Sequence, residues 1–218
     1  PILKNFLKQK PASATAYCLV GSEMCIRDSP HPEDKEWNGL SLPWMAFGYG
    51  VSMTPLQTLT FYNAVANNGE MVKPSFIRSI GAFGEEPVYK IDREVIMHSI
   101  CSKKTLKSVQ IMLKNVVEKP WGTANNIYDK NISIAGKTGT SQIDYTSDET
   151  QYVSSFVGYF PADNPKYSAI VVINKPNKSK GFYGNSVAAP VFKKVAQKII
   201  TGIPIEIEIS KKDIGILF

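Results

Sequence analysis

The strongest constraint on the fold is a succession of three strand-like runs in the second half of the chain, the first ending in a glycine-flanked lysine–threonine pair. Ile132-Ser133-Ile134-Ala135 runs directly into Gly136-Lys137-Thr138-Gly139-Thr140. A polar loop over residues 144–151 follows, and then residues 152–160 and 167–174, both rich in the Val, Ile, Phe and Tyr that suit strands. Between the last two, Pro161-Ala162-Asp163-Asn164-Pro165 is a strong turn signal. The pattern predicts an antiparallel meander of residues 134–140, 152–160 and 167–174. Ser186 is then placed to cap a closing helix that runs to Ile200. In it Val187, Val191, Val195 and Ile199 share one side, expected to pack on the sheet, and Pro190 falls in the first turn, where no backbone N–H is needed.

Two helices are expected upstream. Thr54 is a good N-cap and Pro55 suits the first helical position. Leu56, Leu59, Tyr62, Asn63 and Ala66 follow helical spacing, and Asn67-Asn68-Gly69 gives a stop that can adopt left-handed backbone. A second helix starts at Ser102, carries the stripe Leu106, Val109, Leu113, Val116 and Val117, and ends before Pro120. Helices before and after an antiparallel sheet make an α+β architecture, an antiparallel sheet flanked by helices.

At 218 residues the chain can hold one sizeable core or two small ones. Its 43% hydrophobic and 20% charged residues are ordinary for a globular protein, and no apolar run approaches the roughly 18 residues of a membrane span. The net charge of +6 comes from scattered lysines without interleaved aromatics, so no nucleic-acid partner is expected. Three cysteines (Cys18, Cys25, Cys101) contain no C-x-x-C, and the two histidines, His31 and His98, lie far apart, so no metal site and no cofactor are expected.

Gly136-Lys137-Thr138-Gly139-Thr140-Ser141 is the segment with chemical content. On a strand, Lys137 and Gly139 face one way and Thr138 and Thr140 the other. The lysine supplies a cation, the hydroxyls supply donors for a carboxylate, and a free backbone N–H could serve an oxyanion. Gly139, without a Cβ, lets a ligand backbone approach. The parts suit recognition of a peptide carboxylate beside an acyl-transfer centre. A phosphate-binding loop also ends in Gly-Lys-Thr, but needs a glycine where this chain has Asn131, and residues 140–145 are a poor helix start.

Lys-Thr-Gly belongs with Ser-x-x-Lys and Ser-x-Asn in the serine acyl-transferase motif set. Around it the chain resembles class B penicillin-binding proteins at several places in the same order. These are Pro43-Trp44 leading to Gly48-Tyr49-Gly50, Thr54-Pro55-Leu56-Gln57, Ala66-Asn67-Asn68-Gly69, Gly122-Thr123-Ala124, the segment from Ala135 to Gln142, the one from Phe156 to Pro161, and Ala188-Ala189-Pro190-Val191-Phe192. The resemblance spans residues 30–200 and is nearest the division-type (septal) members. It implies a penicillin-binding-protein/serine β-lactamase-like transpeptidase fold and a D,D-transpeptidase that cross-links peptidoglycan stem peptides through a serine acyl-enzyme. β-Lactam antibiotics would acylate the same serine, divisome membrane proteins would be partners, and the place would be the periplasmic face of the bacterial inner membrane. Residue by residue, it implies Lys137 as the cation of the third motif and Thr138 and Thr140 as carboxylate ligands. The Thr140 N–H would be half of an oxyanion hole, Gly139 would be the space for substrate, and Ser141, Tyr183 and Gly184 would be bordering residues on the substrate side.

The sequence departs from this family in one respect: it contains neither Ser-x-x-Lys nor Ser-x-Asn. In the family both precede Lys-Thr-Gly, so their absence fits N-terminal truncation, and the chain alone is expected to be inactive. Residues 30–201 are read as the C-terminal part of a transpeptidase domain and residues 202–218 as the start of a linker or tail. Residues 1–29 are read as a non-native or disordered segment, since residues 16–29 resemble translated sequencing-adaptor sequence. A β-lactam sensor on the same fold is the alternative reading.

Overall fold

The three strand-like runs pair as their patterns predict. The computed structural model describes residues 32–35, 37–46, 53–77, 79–80, 89–143 and 151–202. The expectations for residues 1–29, for Gly48-Tyr49-Gly50, for the loop over 144–150 and for the tail beyond Gly202 lie outside them. The helices are α1 (Ser41–Ala46), α2 (Pro55–Ala66), α3 (Lys103–Glu118) and α4 (Gly184–Thr201). Four short strands, β1 (Met71–Val72), β2 (Ser79–Ile80), β3 (Tyr89–Lys90) and β4 (Val95–Met97), form two antiparallel pairs, β1 with β4 and β2 with β3.

The main sheet has the order β5 (Ala135–Ile143), β6 (Gln151–Phe160), β7 (Tyr167–Asn174), all antiparallel. The turn between β6 and β7 is too short for the crossover that a parallel pair requires. In the register, Lys137 lies opposite Val157, Thr138 opposite Phe156, Gly139 opposite Ser155 and Thr140 opposite Ser154.

Each face of the sheet has its own core. On one, Phe156 and Phe160 pack with Ala188, Ala189, Phe192 and Ala196 of α4. Phe192 meets Phe156 and Phe160 edge-on at ring distances of 4.8 and 5.6 Å. Fully burying a phenylalanine contributes about 1.5–3 kcal/mol, so this trio anchors the helix. On the other face Ala135 and Tyr159 pack with Ala64 and Val65 of α2 and Leu106 and Leu113 of α3. Desolvation in that core pushes the Tyr159 hydroxyl up to about 12.

The helix starts obey local chemistry at α2 and α3. Thr54 and Gln57 form a reciprocal capping box, and the Ser102 hydroxyl accepts the N–H of Thr105. Two expectations for α4 need correction. First, its buried face is Ala188, Phe192 and Ala196, while Val191 and Ile199 are 41% and 37% exposed. Small alanines allow close approach to the sheet and the phenylalanine fills the remaining space, so Val191 and Ile199 turn outward and Val187 and Val195 stay half-buried at its flank. Second, the helix begins at Gly184 with Tyr183 as its N-cap, three residues before the expected cap Ser186. Pro190 therefore lies inside the helix and not in its first turn, leaving the Ser186 carbonyl without its usual donor.

Candidate active site

The Lys-Thr-Gly segment occupies the end strand of the sheet: among the described residues, nothing pairs with the outer side of β5. Lys137 and Thr140 are exposed, as is Ser141, and Thr138 and Gly139 are half-buried. The Lys137 ammonium curls over the edge and donates to the Thr138 carbonyl oxygen at 2.9 Å and to Thr138 Oγ1 at 3.3 Å. A carbonyl reached in this way points away from β6. Because peptide groups along a strand alternate in direction, the N–H and C=O of Thr140, two residues on, share that free edge.

The pleat separates the side chains as expected. Thr138 and Thr140 share the face of Phe156, on which α4 packs. The backbone N–H of Gly184, the first residue of α4, donates to Thr140 Oγ1 at 3.0 Å. The positive end of the α4 dipole thus meets the motif, and no acidic residue lies in the first turn of that helix to offset it. Together with Lys137 this makes an electropositive edge, suited to an anion.

Two glycines set the fit. A Cβ on Gly184 would come within 2.5 Å of both the Gly139 and Ser155 carbonyl oxygens, so only glycine lets α4 start this close to β5 and β6. A Cβ on Gly139 would meet Ser155 Oγ at 2.5 Å, so the space beside Gly139 on its own face of the sheet is taken up by that hydroxyl.

The turn Gly181-Phe182-Tyr183-Gly184 is brought to the same place. Gly181 has φ +107°, a conformation that favours glycine. Phe182 stacks between Tyr152 and Tyr183 at 4.3 Å from each ring, and its carbonyl accepts the Ser154 hydroxyl. Tyr183 is 58% exposed at the end of this stack.

The structure therefore gathers Lys137, Thr138, Gly139, Thr140, Tyr183 and Gly184 on one edge, with Ser141 continuing the strand. Sequence reasoning missed Tyr152, Ser154 and Ser155, which only strand register brings here. It also gave no role to Thr123, whose Oγ1 lies 3.3 Å from Thr138 Oγ1. Among the described residues no cluster of potential metal ligands occurs. A cavity of about 480 Å³, lined in part by Asn67, Gln110 and Asp163, lies at the Phe160 end of the sheet and shares none of these residues.

Comparison with known proteins agrees with the arrangement. The Peptidoglycan D,D-transpeptidase FtsI of Buchnera aphidicola (subsp. Baizongia pistaciae) is 34% identical over 205 residues, covering 91% of this chain and 33% of that protein. Stage V sporulation protein D of Bacillus subtilis is 31% identical over 148 residues, covering 67% of this chain and 22% of that protein. The chain thus spans no more than about a third of the curated relatives it matches. Among solved structures, penicillin-binding protein 3 of Mycobacterium tuberculosis complexed with aztreonam is similar, with 30% identity, a TM-score of 0.60, and coverage of 78% of this chain and 40% of that one. The family model described as the penicillin-binding protein transpeptidase domain matches residues 28–197, well over half the chain. An edge-strand Lys-Thr-Gly, an antiparallel sheet flanked by helices, and these matches together place the chain in the penicillin-binding protein transpeptidase domain family.

Proposed function

We propose that this chain supplies the carboxylate-binding strand of a serine-type D,D-transpeptidase that cross-links peptidoglycan stem peptides. The nucleophilic serine and its lysine are not in this chain. In the reaction a serine Oγ forms a bond to the carbonyl carbon of the penultimate residue of a stem peptide, and the terminal D-alanine leaves as the amine. An amine of a second stem peptide then displaces the serine and regenerates its hydroxyl. Lys137 supplies positive charge at the site. The Thr138 and Thr140 hydroxyls donate to the terminal carboxylate of the substrate or the carboxylate of a β-lactam, Ser141, Tyr183 and Gly184 border the bound chain, and the Thr140 N–H on the free edge stabilises the oxyanion. The observation that carries this reading is the convergence of Lys137, Thr138 and Thr140 at the start of α4, on a strand edge that is unpaired among the described residues.

The cellular setting follows from the same reading. The parent enzyme works at the periplasmic face of the bacterial inner membrane, with divisome membrane proteins as partners. No described helix is long and apolar enough to cross a membrane. The reading is supported by the similarity to a Peptidoglycan D,D-transpeptidase FtsI.

Acyl transfer needs an activated nucleophile, so the isolated chain is expected to form no acyl-enzyme. Incubation with a fluorescent penicillin, denaturation and intact-mass measurement tests this, with residues 30–201 grafted into a complete homologous transpeptidase domain for comparison. The graft is expected to take one label and the isolated chain none. A stoichiometric adduct on the isolated chain, or a folded graft that takes no label, would overturn the reading.

A further inference from the structure

We propose that Thr123 is a positioning residue that turns Thr138 into an obligatory hydrogen-bond donor toward the anionic end of substrate or drug. The inference rests on the transpeptidase reading above and adds a residue to it.

Thr123 stands in the short loop between α3 and a 3₁₀ turn at Asn125–Ile127. Its backbone is held on both sides. The Gly122 N–H donates to Lys119 O at 2.8 Å and the Ala124 N–H to Val116 O at 3.0 Å. Ala124 and Ile127 are buried in the α4-side core, and Asn126 Nδ2 donates to the Asn185 carbonyl at 2.7 Å, tying the loop to the start of α4. A Cβ on Gly122 would come within 2.3 Å of Val116 O, so the loop passes close against the end of α3. The loop is thus fixed, yet the Thr123 side chain is exposed. Among the described residues its hydrogen-bonding partner is Thr138 Oγ1, at 3.3 Å. That distance is long for an O–H···O bond, as contacts in ligand-free sites often are before they tighten.

The argument is one of acceptor capacity. A threonine hydroxyl has one proton and two acceptor lone pairs. Lys137, which can only donate, occupies one lone pair of Thr138. With Thr123 donating to the other, Thr138 has nothing left to offer but its proton, and that proton must point to the open edge. Thr140 is similarly biased, because the Gly184 N–H already occupies one of its acceptor positions. Two hydroxyls preset as donors beside an ammonium suit a carboxylate and give nothing to a group that must itself donate. Thr123 thereby contributes to selection for the anion without touching it.

The test uses the graft of residues 30–201 in a complete homologous domain, and compares acylation by benzylpenicillin with acylation by its methyl ester, which lacks the carboxylate. Thr123→Val removes the hydroxyl at nearly constant shape. It is expected to slow acylation by benzylpenicillin by about fivefold or more, the scale of one well-placed hydrogen bond, while the ester rate changes less than about twofold on the same scale. Thr123→Ser is expected to restore the benzylpenicillin rate, and the melting temperature should not move. Equal slowing toward both compounds would mean a merely structural role, and no slowing toward benzylpenicillin would mean no role; either result overturns the inference. A folded wild-type graft that reacts with neither compound would instead remove the transpeptidase reading on which the inference stands.

Discussion

Replacing Gly184 by alanine tests how the motif is held in place. The new Cβ would lie 2.5 Å from two carbonyl oxygens, those of Gly139 and Ser155, and 3.2 Å from the Gly139 nitrogen. All three are backbone atoms inside the sheet and cannot swing aside. To reach ordinary contact the first turn of α4 must retreat by about 1 Å, which would stretch the 3.0 Å bond from Gly184 N–H to Thr140 Oγ1 beyond hydrogen-bonding range. Overpacking of this kind costs about 1–3 kcal/mol, and the lost hydrogen bond about 1 kcal/mol more. At roughly 2–4 °C per kcal/mol for a domain of this size class, the melting temperature of the graft should fall by about 4–16 °C. Acylation by penicillin should slow as well, because Thr140 loses the contact that orients its hydroxyl. Gly39→Ala is the control: a Cβ there meets nothing within 4 Å, and no change in melting temperature is expected. The assay is thermal unfolding followed by circular dichroism. A Gly184→Ala graft that melts with the wild type would refute the reasoning, because it would mean that α4 does not start on the strand backbone.

The face of α4 that meets the sheet can be checked by a pair of substitutions. Phe192→Ala should cost about 3–5 kcal/mol in urea unfolding, the range for a buried phenylalanine, whereas Val191→Ala, at a position 41% exposed, should change stability by less than about 1 kcal/mol; the reverse order would restore the valine stripe as the buried face. Acid should weaken the attachment of the loop before β5 to α4. The Asp129 carboxyl is held below the usual carboxylate range first by the Asn131 N–H, then by Gln197, with Lys193 also favouring the charged form. A folded-state value below the unfolded one means that the contribution is complete above the ordinary carboxylate range and is lost as pH falls through the lowered value. Melting temperature measured against pH should therefore show an acid-side loss that Asp129→Asn lacks, and identical profiles would contradict this.

The sequence made the sheet legible because β-branched and aromatic residues clustered between strong turn signals. The antiparallel order of β5, β6 and β7 follows from loops too short for a crossover. The stripe Leu106, Val109, Leu113, Val116 and Val117 of α3 was equally readable, since burial there follows helical spacing. The face of α4 was not. Its contact is made by alanines, whose small size matters more than their hydrophobicity, and by one phenylalanine, so the most apolar stripe was the wrong guide. The start of α4 was misplaced because Ser186 has cap-forming chemistry, while the geometry is set by Gly184 lying on strand backbone. In the site, Lys137, Thr138 and Thr140 could be named because they are contiguous on one strand. Thr123, Ser154 and Ser155 could not, because they meet the motif only through strand register and the packing of the loop after α3.

The most direct test of the central claim is the rate at which penicillin acylates the graft with and without the Lys137 ammonium. If Lys137, on the free edge of β5, is the cation of a transpeptidase site, Lys137→Ala should slow acylation by roughly a hundredfold or more, the scale of losing a key electrostatic or proton-transfer group, in a protein that still unfolds cooperatively at the wild-type temperature. Unchanged acylation kinetics in the folded variant would contradict the account.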